Sequence, residues 1–352
     1  MKQKLSILTL YTKEGASSNY RAYIFNEKLA ESFELSWFNF WNKNYSGKYM
    51  HNKKKYLLRI ALLYIWGTLK RLFQLYFLIP NSDILLIQKG VIPKLKPVFL
   101  THLKRKGIRI VFDVDDAIYL FDNDNSDRIA SVSDIVICGN QTLQTHYSKF
   151  NTNCVIIPTT DNINLYEPYW SNTFDKKVIG WIGSKTTVNN IDQIVSVINQ
   201  LVDKYPGVSF DIISNSALDF PKKIKNTRLV QWSSQNYLKD LSKITVGIMP
   251  LEDTPINQGK CGFKLIQYLN MKKPVVGSNI GVNGEIIGKN GFAVDSERDW
   301  FIALEKLLFD RSAYQNCIKN IEEKFFPVYH YDIVAQDLID ILKGKSNKKS
   351  EV

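Results

Sequence analysis

Short apolar runs alternate with amphipathic stretches of helical period along most of the chain. Runs of this length are typical of strands buried in a parallel sheet, and the stretches between them are typical of the helices that cover it. The apolar runs lie at 4–11, 35–40, 83–88, 108–112, 133–138, 154–157, 178–183, 208–213, 227–230, 244–250, 274–276 and 292–294. This alternation predicts an α/β protein built from doubly wound parallel sheets.

The pattern is interrupted once, and the interruption divides the chain into two similar halves. The interrupting segment, residues 158–176, contains two prolines, several Asn and Thr and little apolar periodicity, which is the composition of a linker. We therefore predict a first domain at 1–160, a linker at 161–176 and a second domain at 177–328. A last helix at 329–343 and a disordered tail at 344–352 are expected to follow.

The most apolar part of the chain is the segment at 56–79, which reads YLLRIALLYIWGTLKRLFQLYFLI. Its longest uncharged run, at 60–69, is much shorter than the ~20 residues that a membrane-spanning helix needs, so we reject a transmembrane helix. On a helix, Arg59, Trp66 and Lys70 share one face, while apolar side chains cover most of the remainder. The interpretation that we favour is a domain helix buried on several sides. An interfacial helix with basic anchors is the alternative.

The composition is that of an ordinary soluble protein. The 352 residues, of which 45% are hydrophobic and 23% charged, suffice for two cores and exclude a disordered or polytopic membrane protein. The four cysteines are scattered without a CxxC pair, which indicates reduced, structural thiols in a cytosol. Residues 1–15 contain a short apolar run without a small-residue cleavage site, and we interpret them as a first strand and not as a signal peptide.

The net charge of +12 is concentrated at the N-terminal end of the chain. Residues 1–110 contain 20 Lys and Arg against 5 Asp and Glu, whereas residues 111–352 contain 26 against 29. Such an asymmetry predicts an anionic partner for the N-terminal part, for which an anionic membrane surface and a phosphate-bearing acceptor are the leading candidates. Nucleic acid ranks last, because no motif that reads nucleic acid accompanies the charge, and we predict no nucleic-acid partner.

The segment at 259–285 is the richest candidate site. It reads GKCGFKLIQYLNMKKPVVGSNIGVNGE and predicts a loop, a helix, a short strand and a second loop. Lys264 falls in the first turn of the helix, where the helix dipole disfavours a cation, so a nearby anion would offset the cost. Lys260 in the preceding loop adds a second positive charge. In an open α/β sheet, ligands bind at this end of the strands.

The second loop of this segment follows the predicted strand at 274–276. Its glycines allow backbone N–H groups to approach a ligand closely, and we expect those of Gly281, Val282 and Asn283 to contact phosphate or sugar. Glu285 would contact ribose or sugar hydroxyls. The alternative for this carboxylate is an ordinary position beside a helix N-terminus.

A second candidate anion site lies at the start of the second domain. The strand at 178–183 ends in Gly183, and Ser184 and Lys185 precede a predicted helix. Unpaired N–H groups and the dipole at a helix N-terminus favour an anion, and Lys185 is well placed for a pyrophosphate. A surface lysine on a loop is the alternative.

In the first domain, a glycine and a cluster of aspartates follow predicted strands. Gly15 could let a sugar or phosphate approach the backbone, although simple turn chemistry is the alternative. Asp113, Asp115 and Asp116 follow the strand at 108–112, and three carboxylates at this spacing could ligate a divalent metal. The order of the elements does not fit the metal-dependent enzymes that use such a cluster, so we predict no metal. Helix capping and substrate binding both stay open.

These features resemble the nucleotide-sugar-binding segment of the retaining, GT-B-fold glycosyltransferases of family 4. The resemblance covers most of 108–325 and is strongest at 178–185 and 244–294. It implies two Rossmann-like domains that face a central cleft, with the acceptor bound by the first domain and the nucleotide sugar by the second. It also implies that the last helix packs back on the first domain and that Asp115 or Asp116 faces the cleft.

The sequence departs from the pattern of that family at two places. Gly259 and Gln267 stand where the family often has two glutamates, and Gln267 can still hydrogen-bond a ribose. Ser184 and Asn189 stand where the family usually has Arg and Lys, which leaves Lys185 to supply part of that charge.

We therefore predict a cytoplasmic glycosyltransferase of the hexosyltransferase type that uses no cofactor, with peripheral attachment to the inner face of the membrane as an option. It would transfer a sugar from a nucleotide diphosphate sugar to a lipid-linked or cell-surface polysaccharide acceptor, and the resemblance implies retention of the anomeric configuration. The predicted catalytic residues are Asp115, Asp116, Lys264 and Glu285. The predicted donor-binding residues are Gly15, Gly183, Ser184, Lys185, Lys260, Gln267, Gly281, Val282 and Asn283. A nucleotide-sugar epimerase of the same fold and a catalytically silent nucleotide-sugar-binding subunit are the alternatives.

Overall fold

The computed structural model describes residues 1–184, 187–215 and 224–345. They form two compact units. The N-terminal unit consists of residues 1–159 and the segment that begins at Asp332, and the C-terminal unit is Thr160–Tyr331. Each unit contains a six-stranded sheet with helices. The predicted α/β class with two Rossmann-like domains is confirmed, and the predicted disordered tail lies, from residue 346 onward, outside the described residues.

The sheet of the N-terminal unit has the strand order β2-β1-β3-β4-β5-β6. Its strands are β1 (Gln3–Thr9), β2 (Phe33–Asn39), β3 (Ile84–Gln88), β4 (Arg109–Val114), β5 (Ile135–Cys138) and β6 (Cys154–Ile156). Neighbouring strands are parallel, and β3 is buried along its whole length, which explains its uninterrupted apolar run. The order reverses beside β1, so the carboxyl ends of β1 and β3 flank the usual ligand position of an open α/β sheet.

The helices of the N-terminal unit come from both ends of the chain. They are α1 (Ala16–Arg21), α2 (Asn26–Ser32), α3 (Leu57–Phe73), α4 (Leu100–Arg105), α5 (Ser126–Val132), α6 (Gln141–Tyr147) and, at the end of the chain, α15 (Tyr331–Leu342). The end of α15 is held by polar contacts to this unit. Arg109 Nη1 donates to the carbonyl oxygen of Leu342 at 3.0 Å, and Lys343 Nζ lies 3.0 Å from Ser32 Oγ.

The sheet of the C-terminal unit has the strand order β12-β11-β10-β7-β8-β9. Its strands are β7 (Val178–Ile182), β8 (Ser209–Ser214), β9 (Thr227–Gln231), β10 (Val246–Met249), β11 (Val275–Ser278) and β12 (Gly291–Val294). They are also parallel. Here the order reverses between β7 and β10, so their carboxyl ends flank the position at which a ligand is expected.

The helices of the C-terminal unit cover its sheet with two apolar clusters. These helices are α7 (Val195–Lys204), α8 (Tyr237–Leu241), α9 (Pro255–Gln258), α10 (Phe263–Asn270), α11 (Asn283–Ile287), α12 (Glu297–Phe309), α13 (Arg311–Asn320) and α14 (Phe326–Tyr329). One cluster contains apolar side chains of α7 and α12, and the other contains those of α10 and α11. The second cluster fixes α10, which carries Lys264 in its first turn, beside β10.

Some helices are shorter than the stretches between neighbouring strands would allow. Between β3 and β4 the α-helix is confined to α4, because a proline at position 97 lacks the N–H that a helix interior needs. Between β1 and β2 the chain forms α1 and α2, which are separated by a break at Ala22, whose φ is −138°. The helices α5 and α8 have seven and five residues, too few for the sequence to show a helical period.

The orientation of α3 is the largest difference from the sequence analysis. The buried residues of α3 are Gly67 and Arg71, whereas its large apolar side chains lie at the surface, with Leu58 74% and Trp66 65% exposed. The favoured interpretation, a helix buried on several sides, is therefore wrong. Among the described residues, no helix combines the length and apolar character that crossing a membrane requires.

Candidate functional site

The reversal point of the C-terminal sheet brings β7 and α10 together. Gly183 directly follows β7, and its N–H donates to the carbonyl oxygen of Ile213 at 3.0 Å. Lys264 lies in the first turn of α10. A Cβ added to Gly183 would lie 3.0 Å from Cε of Lys264, so the glycine leaves room for the lysine stem.

The entry to α10 depends on a sharp turn at Gly262. The φ of Gly262 is +63°, in the left-handed region, and an added Cβ would lie 2.4 Å from Cδ1 of Ile286. Glycine adopts this conformation without steric cost and lets the turn pack against α11. The N-cap residue of α10 is Gly262, which has no side chain of its own to cap the first N–H groups of the helix.

The ammonium group of Lys264 lacks a counter-ion within the described part of the chain. Its Nζ lies 5.7 Å from the centre of the Trp181 ring. Burial, with a smaller contribution from the positive charge of Lys260, lowers the pKa of Lys264 to about 8. No described carboxylate contributes to that shift. Two ammonium groups beside the N-terminus of a helix attract an anion.

The loop after β11 already uses much of its own backbone hydrogen-bonding capacity. The N–H of Gly281, which has a φ of +57°, donates to Oε1 of Gln258 at 3.0 Å. The N–H of Asn283 donates to the carbonyl oxygen of Ile280 at 3.2 Å. The N–H of Val282 has no hydrogen-bond partner among the described residues. Of the three N–H groups predicted to contact a ligand, this one is available without rearrangement.

Glu285 lies in the first turn of α11 and is exposed. It lines a cavity of about 400 Å³ together with Asn290, Lys324 and Tyr329. Burial raises the pKa of Tyr329, and the negative charge of Glu285 adds to the rise, which places the carboxylate near the phenol. The carboxylate has no hydrogen bond to another described side chain and can accept one from a ligand hydroxyl.

The remaining predicted donor residues occupy different environments. Gln267 lies in α10 and is 7% exposed, and its amide has no hydrogen bond to another described residue. Ser184 is exposed, and its carbonyl oxygen accepts a hydrogen bond from the N–H of Thr187 at 3.0 Å. Lys185, which was expected to contact a pyrophosphate, lies outside the described residues.

In the N-terminal unit, hydrogen bonds join α1, the last residue of β3 and the loop that follows β4. Ser17 Oγ donates to Asp115, at 2.9 Å from Oδ1 and 3.1 Å from Oδ2, and accepts from Nε2 of Gln88 at 2.9 Å. Gly15 precedes α1, and its N–H donates to the carbonyl oxygen of Thr12 at 2.9 Å. The structure therefore brings the loop of Gly15 close to Asp115.

Lys89, which the sequence analysis missed, is a further candidate residue. Its Nζ lies 2.7 Å from Oδ2 of Asp116. Burial lowers the pKa of Lys89, but the carboxylates of Asp116 and Asp115 outweigh that effect and the pKa is raised overall. Burial, followed by repulsion from Asp116, raises the pKa of Asp115. The signal for this site was a lysine directly after an apolar strand.

The third aspartate of the cluster is structural. Asp113 is 2% exposed and forms an ion pair with Arg21, whose Nη1 also donates to the carbonyl oxygen of Ile157 at 2.9 Å. The three aspartates therefore point to different partners. Among the described residues, no group of three or more His, Cys, Asp and Glu side chains is arranged to hold a metal ion.

A cavity of about 320 Å³ opens beside Lys89 in the N-terminal unit. Its lining combines the apolar side chains of Ile118 and Phe121 with the charged side chains of Lys94 and Asp124. Such a mixed lining suits a ligand that has an apolar portion next to a sugar or a phosphate.

The C-terminal unit matches a known protein family. Residues 176–310, which include β7 to β12 and the whole of α10, match the family model described as glycosyl transferases group 1. The match is therefore confined to the C-terminal unit. Both the Gly183 loop and the loop of Glu285 lie within the matched residues. The sequence has no significant match among curated proteins.

Solved structures extend the likeness to the whole chain. A glycosyltransferase from Rickettsia africae is 12% identical with a TM-score of 0.69, over 98% of this chain and 99% of that one. Anabaena Alr3699/HepE in complex with UDP-glucose is 12% identical with a TM-score of 0.68, over 97% and 100%. Sucrose-phosphate synthase from Thermosynechococcus elongatus is 10% identical with a TM-score of 0.64, over 97% and 99%. The chain has the GT-B fold, while membership of family 4 stays a prediction.

Proposed function

We propose that the protein is a glycosyltransferase that takes its sugar from a nucleotide diphosphate sugar bound to the C-terminal unit. The observation that carries the proposal is the uncompensated ammonium of Lys264 at the N-terminus of α10, next to Lys260. A diphosphate would supply the missing negative charge. The group 1 match and the UDP-glucose bound to Anabaena HepE support a nucleotide sugar as its source.

The proposed chemistry is cleavage of the bond between the anomeric carbon and the diphosphate oxygen. The electron pair of that bond leaves with the diphosphate, so negative charge develops on its oxygens. Lys264, Lys260 and the N–H groups that open α10 are oriented before the reaction to stabilise this charge. We propose, on the resemblance to family 4, that the new glycosidic bond retains the configuration of the donor.

The nucleoside and the sugar need contacts of their own. We propose that the amide of Gln267 hydrogen-bonds the ribose, in place of the carboxylate that the resembling family often has there. Glu285, which is exposed and unpaired among the described side chains, would bind sugar hydroxyls. The N–H of Val282, three residues before this carboxylate in the sequence, is available to a phosphate or a sugar. Gly183, Ser184 and Lys185 would line the diphosphate side.

The acceptor, we propose, binds to the N-terminal unit. Asp115 and Asp116 lie at the carboxyl end of its sheet, where the ion pair of Asp116 with Lys89 holds the second carboxylate in place. The adjacent cavity, with its apolar and charged lining, suits a lipid-linked acceptor better than a purely polar sugar. We propose such an acceptor, or a cell-surface polysaccharide, as the substrate of a cytoplasmic hexosyltransferase.

Thermal stabilisation by nucleotides tests the donor site. Because a ligand that binds only the folded state raises the melting temperature, we expect one of UDP, GDP, ADP and CDP to raise it in wild type. The Lys264→Ala variant should lose that shift, and Lys239→Ala, which removes an exposed lysine of the same unit, should keep it. If no nucleotide shifts the wild type, or if Lys264→Ala responds like wild type, the proposed diphosphate site is wrong.

A second candidate is a nucleotide-sugar-binding subunit without activity. It is favoured by Gly259 and Gln267, which stand where the resembling family often has carboxylates. Consumption of a panel of nucleotide sugars, with and without lipid-linked sugar acceptors, separates the possibilities. A transferase consumes donor faster with an acceptor, an epimerase of the same fold converts donor without one, and a silent subunit does neither.

A further inference from the structure

The inner side of α3 holds a buried arginine, while many of the large apolar side chains of the helix face outward. On the inner side, the fully buried Arg71 donates from Nη2 to the carbonyl oxygens of Thr9 and Phe38, both at 3.0 Å. Gly67 packs on the ring of Phe40, which would lie 3.1 Å from an added Cβ. The face that joins α3 to the sheet therefore contains a cation and a glycine.

The outer side of α3 and of the helical turn after it carries a continuous apolar stripe, here named the α3 apolar face. Its members recur at intervals of one, three or four residues, so they lie on one side of the helix. Each is more than half exposed: Leu58, Leu62, Ile65, Trp66, Leu69, Phe73 and Phe77. Single exposed apolar side chains are common in soluble proteins, but a contiguous row of this length marks an interaction surface.

The α3 apolar face adjoins the loop that lines the cavity of the N-terminal unit. Tyr64 Oη donates to the carbonyl oxygen of Pro93 at 2.7 Å and ties α3 to this loop. In the same loop Leu95 is 43% and Val98 74% exposed, while Pro93 and Leu95 also line the cavity of about 320 Å³. Whatever covers the α3 apolar face therefore lies next to the proposed acceptor cavity.

The charges around the α3 apolar face favour an anionic membrane over a second copy of the chain as its binding partner. No Asp or Glu occurs between Glu34 and Asp83. The exposed cations of the surrounding segment are Lys48, Lys53, Lys54, Lys55, Arg59, Lys94 and Lys96. A two-fold contact between two copies of this face would set one basic cluster against another. An anionic bilayer instead offers acyl chains to the apolar stripe and phosphates to the lysines.

We propose that the α3 apolar face lies in the headgroup region of an anionic membrane, with α3 parallel to its plane. This inference deepens the proposed function and rests on it only for the acceptor, since a lipid-linked sugar would be presented beside the cavity at that surface. Membrane docking and nucleotide binding use different units of the chain and can be measured separately.

Flotation of the purified full-length chain with vesicles tests the proposal. We expect the wild type to float with vesicles of phosphatidylcholine and phosphatidylglycerol, and more weakly with phosphatidylcholine alone. The combined variant Leu62→Ser, Trp66→Ser, Leu69→Ser should lower the partition coefficient by at least about tenfold, because three side chains lose apolar area. A control variant, Ile302→Ser with Leu229→Ser, removes exposed apolar side chains of the C-terminal unit and should float like wild type.

A further variant tests the contribution of the lysines beside the α3 apolar face to vesicle binding. Replacing Lys53, Lys54 and Lys55 with Gln should remove most of the preference for phosphatidylglycerol and weaken the effect of salt on binding. The melting temperature of each variant is measured on the same samples, with and without the nucleotide that stabilises the wild type. All variants should keep the response that the wild type shows, because the changes lie outside the donor site.

Three results would overturn the proposal. The first is a wild type that floats with neither kind of vesicle, and the second is a triple serine variant that floats as well as wild type. The third is a wild-type dimer that the triple serine variant converts to a monomer in the absence of vesicle binding, which would assign the face to self-association. A chain that floats but does not respond to any nucleotide would contradict the donor site and leave the docking surface standing.

Discussion

At the residue scale, the pKa of Lys264 gives the donor site a defined pH dependence. Burial lowers this pKa from 10.5 to about 8, so the side chain is mostly charged near pH 7 and mostly neutral near pH 9. A diphosphate is attracted by the charged form only. We therefore expect nucleotide affinity, measured by calorimetry, to fall severalfold between these two pH values.

The matched variant for this prediction is Lys264→Arg. A guanidinium stays charged at pH 9, so this variant should show a weaker decline of affinity with pH, even if its affinity at pH 7 is lower. An identical decline in both proteins would show that a different group titrates.

At the element scale, the entry of α10 depends on the left-handed turn at Gly262. Gly262→Ala would strain a φ of +63° and push against Ile286, so we expect it to destabilise the protein by about 1–2 kcal/mol. It should also weaken nucleotide binding, because Lys264 would move with the helix start. Gly207→Ala, where no atom lies within 4 Å of the added Cβ, is the control for chemical denaturation. Equal stability of the two variants would contradict this account.

Some elements of the fold could be predicted from the sequence and others could not. Buried strands such as β3 and β10 were predictable, because strands covered on both faces are apolar throughout. The position of Lys264 in the first turn of α10 was also predictable from the local sequence. The orientation of α3 was not predictable. Periodicity shows which residues share a face of a helix but not which face packs on the sheet, and in α3 the packed face contains the buried Arg71. Likewise, the sequence does not show that the N–H of Gly281 donates to the side chain of Gln258, which ends helix α9.

At the scale of the whole molecule, the chain passes between the two units at residues 159–160 and 331–332. Thr160 Oγ1 donates to the carbonyl oxygen of Tyr329 at 2.5 Å, so the two passages are tied together inside the C-terminal unit. Next to them, Asp161 is 2% exposed and accepts a hydrogen bond from Tyr166 Oη at 2.5 Å. Burial raises the pKa of Asp161 to about 6, despite the hydrogen bonds that oppose the rise.

This raised pKa predicts how stability near the passages depends on pH. The folded state binds the proton of Asp161 more tightly than the unfolded chain, whose pKa is near 3.8. The stabilisation from protonation is complete below about pH 4 and is lost as the pH rises through about 6. Relative to Asp161→Asn, the wild type should gain up to roughly 3 kcal/mol of unfolding free energy between pH 7 and pH 4.

Denaturant unfolding of both proteins across this pH range is the measurement. The exposed Asp295→Asn serves as the control and should give a difference from wild type that hardly changes with pH. A similarly constant difference for Asp161→Asn would show that the buried carboxyl does not titrate in this window.

The position of α15 also has a consequence for how the protein is made. A ribosome synthesises the N-terminal unit first, but the helix that completes it is translated last, after every residue of the C-terminal unit. Until then, the contacts that Arg109 and Ser32 make with the end of α15 cannot form. The nascent N-terminal unit therefore lacks α15, but already contains the α3 apolar face, while the second unit is synthesised and folds.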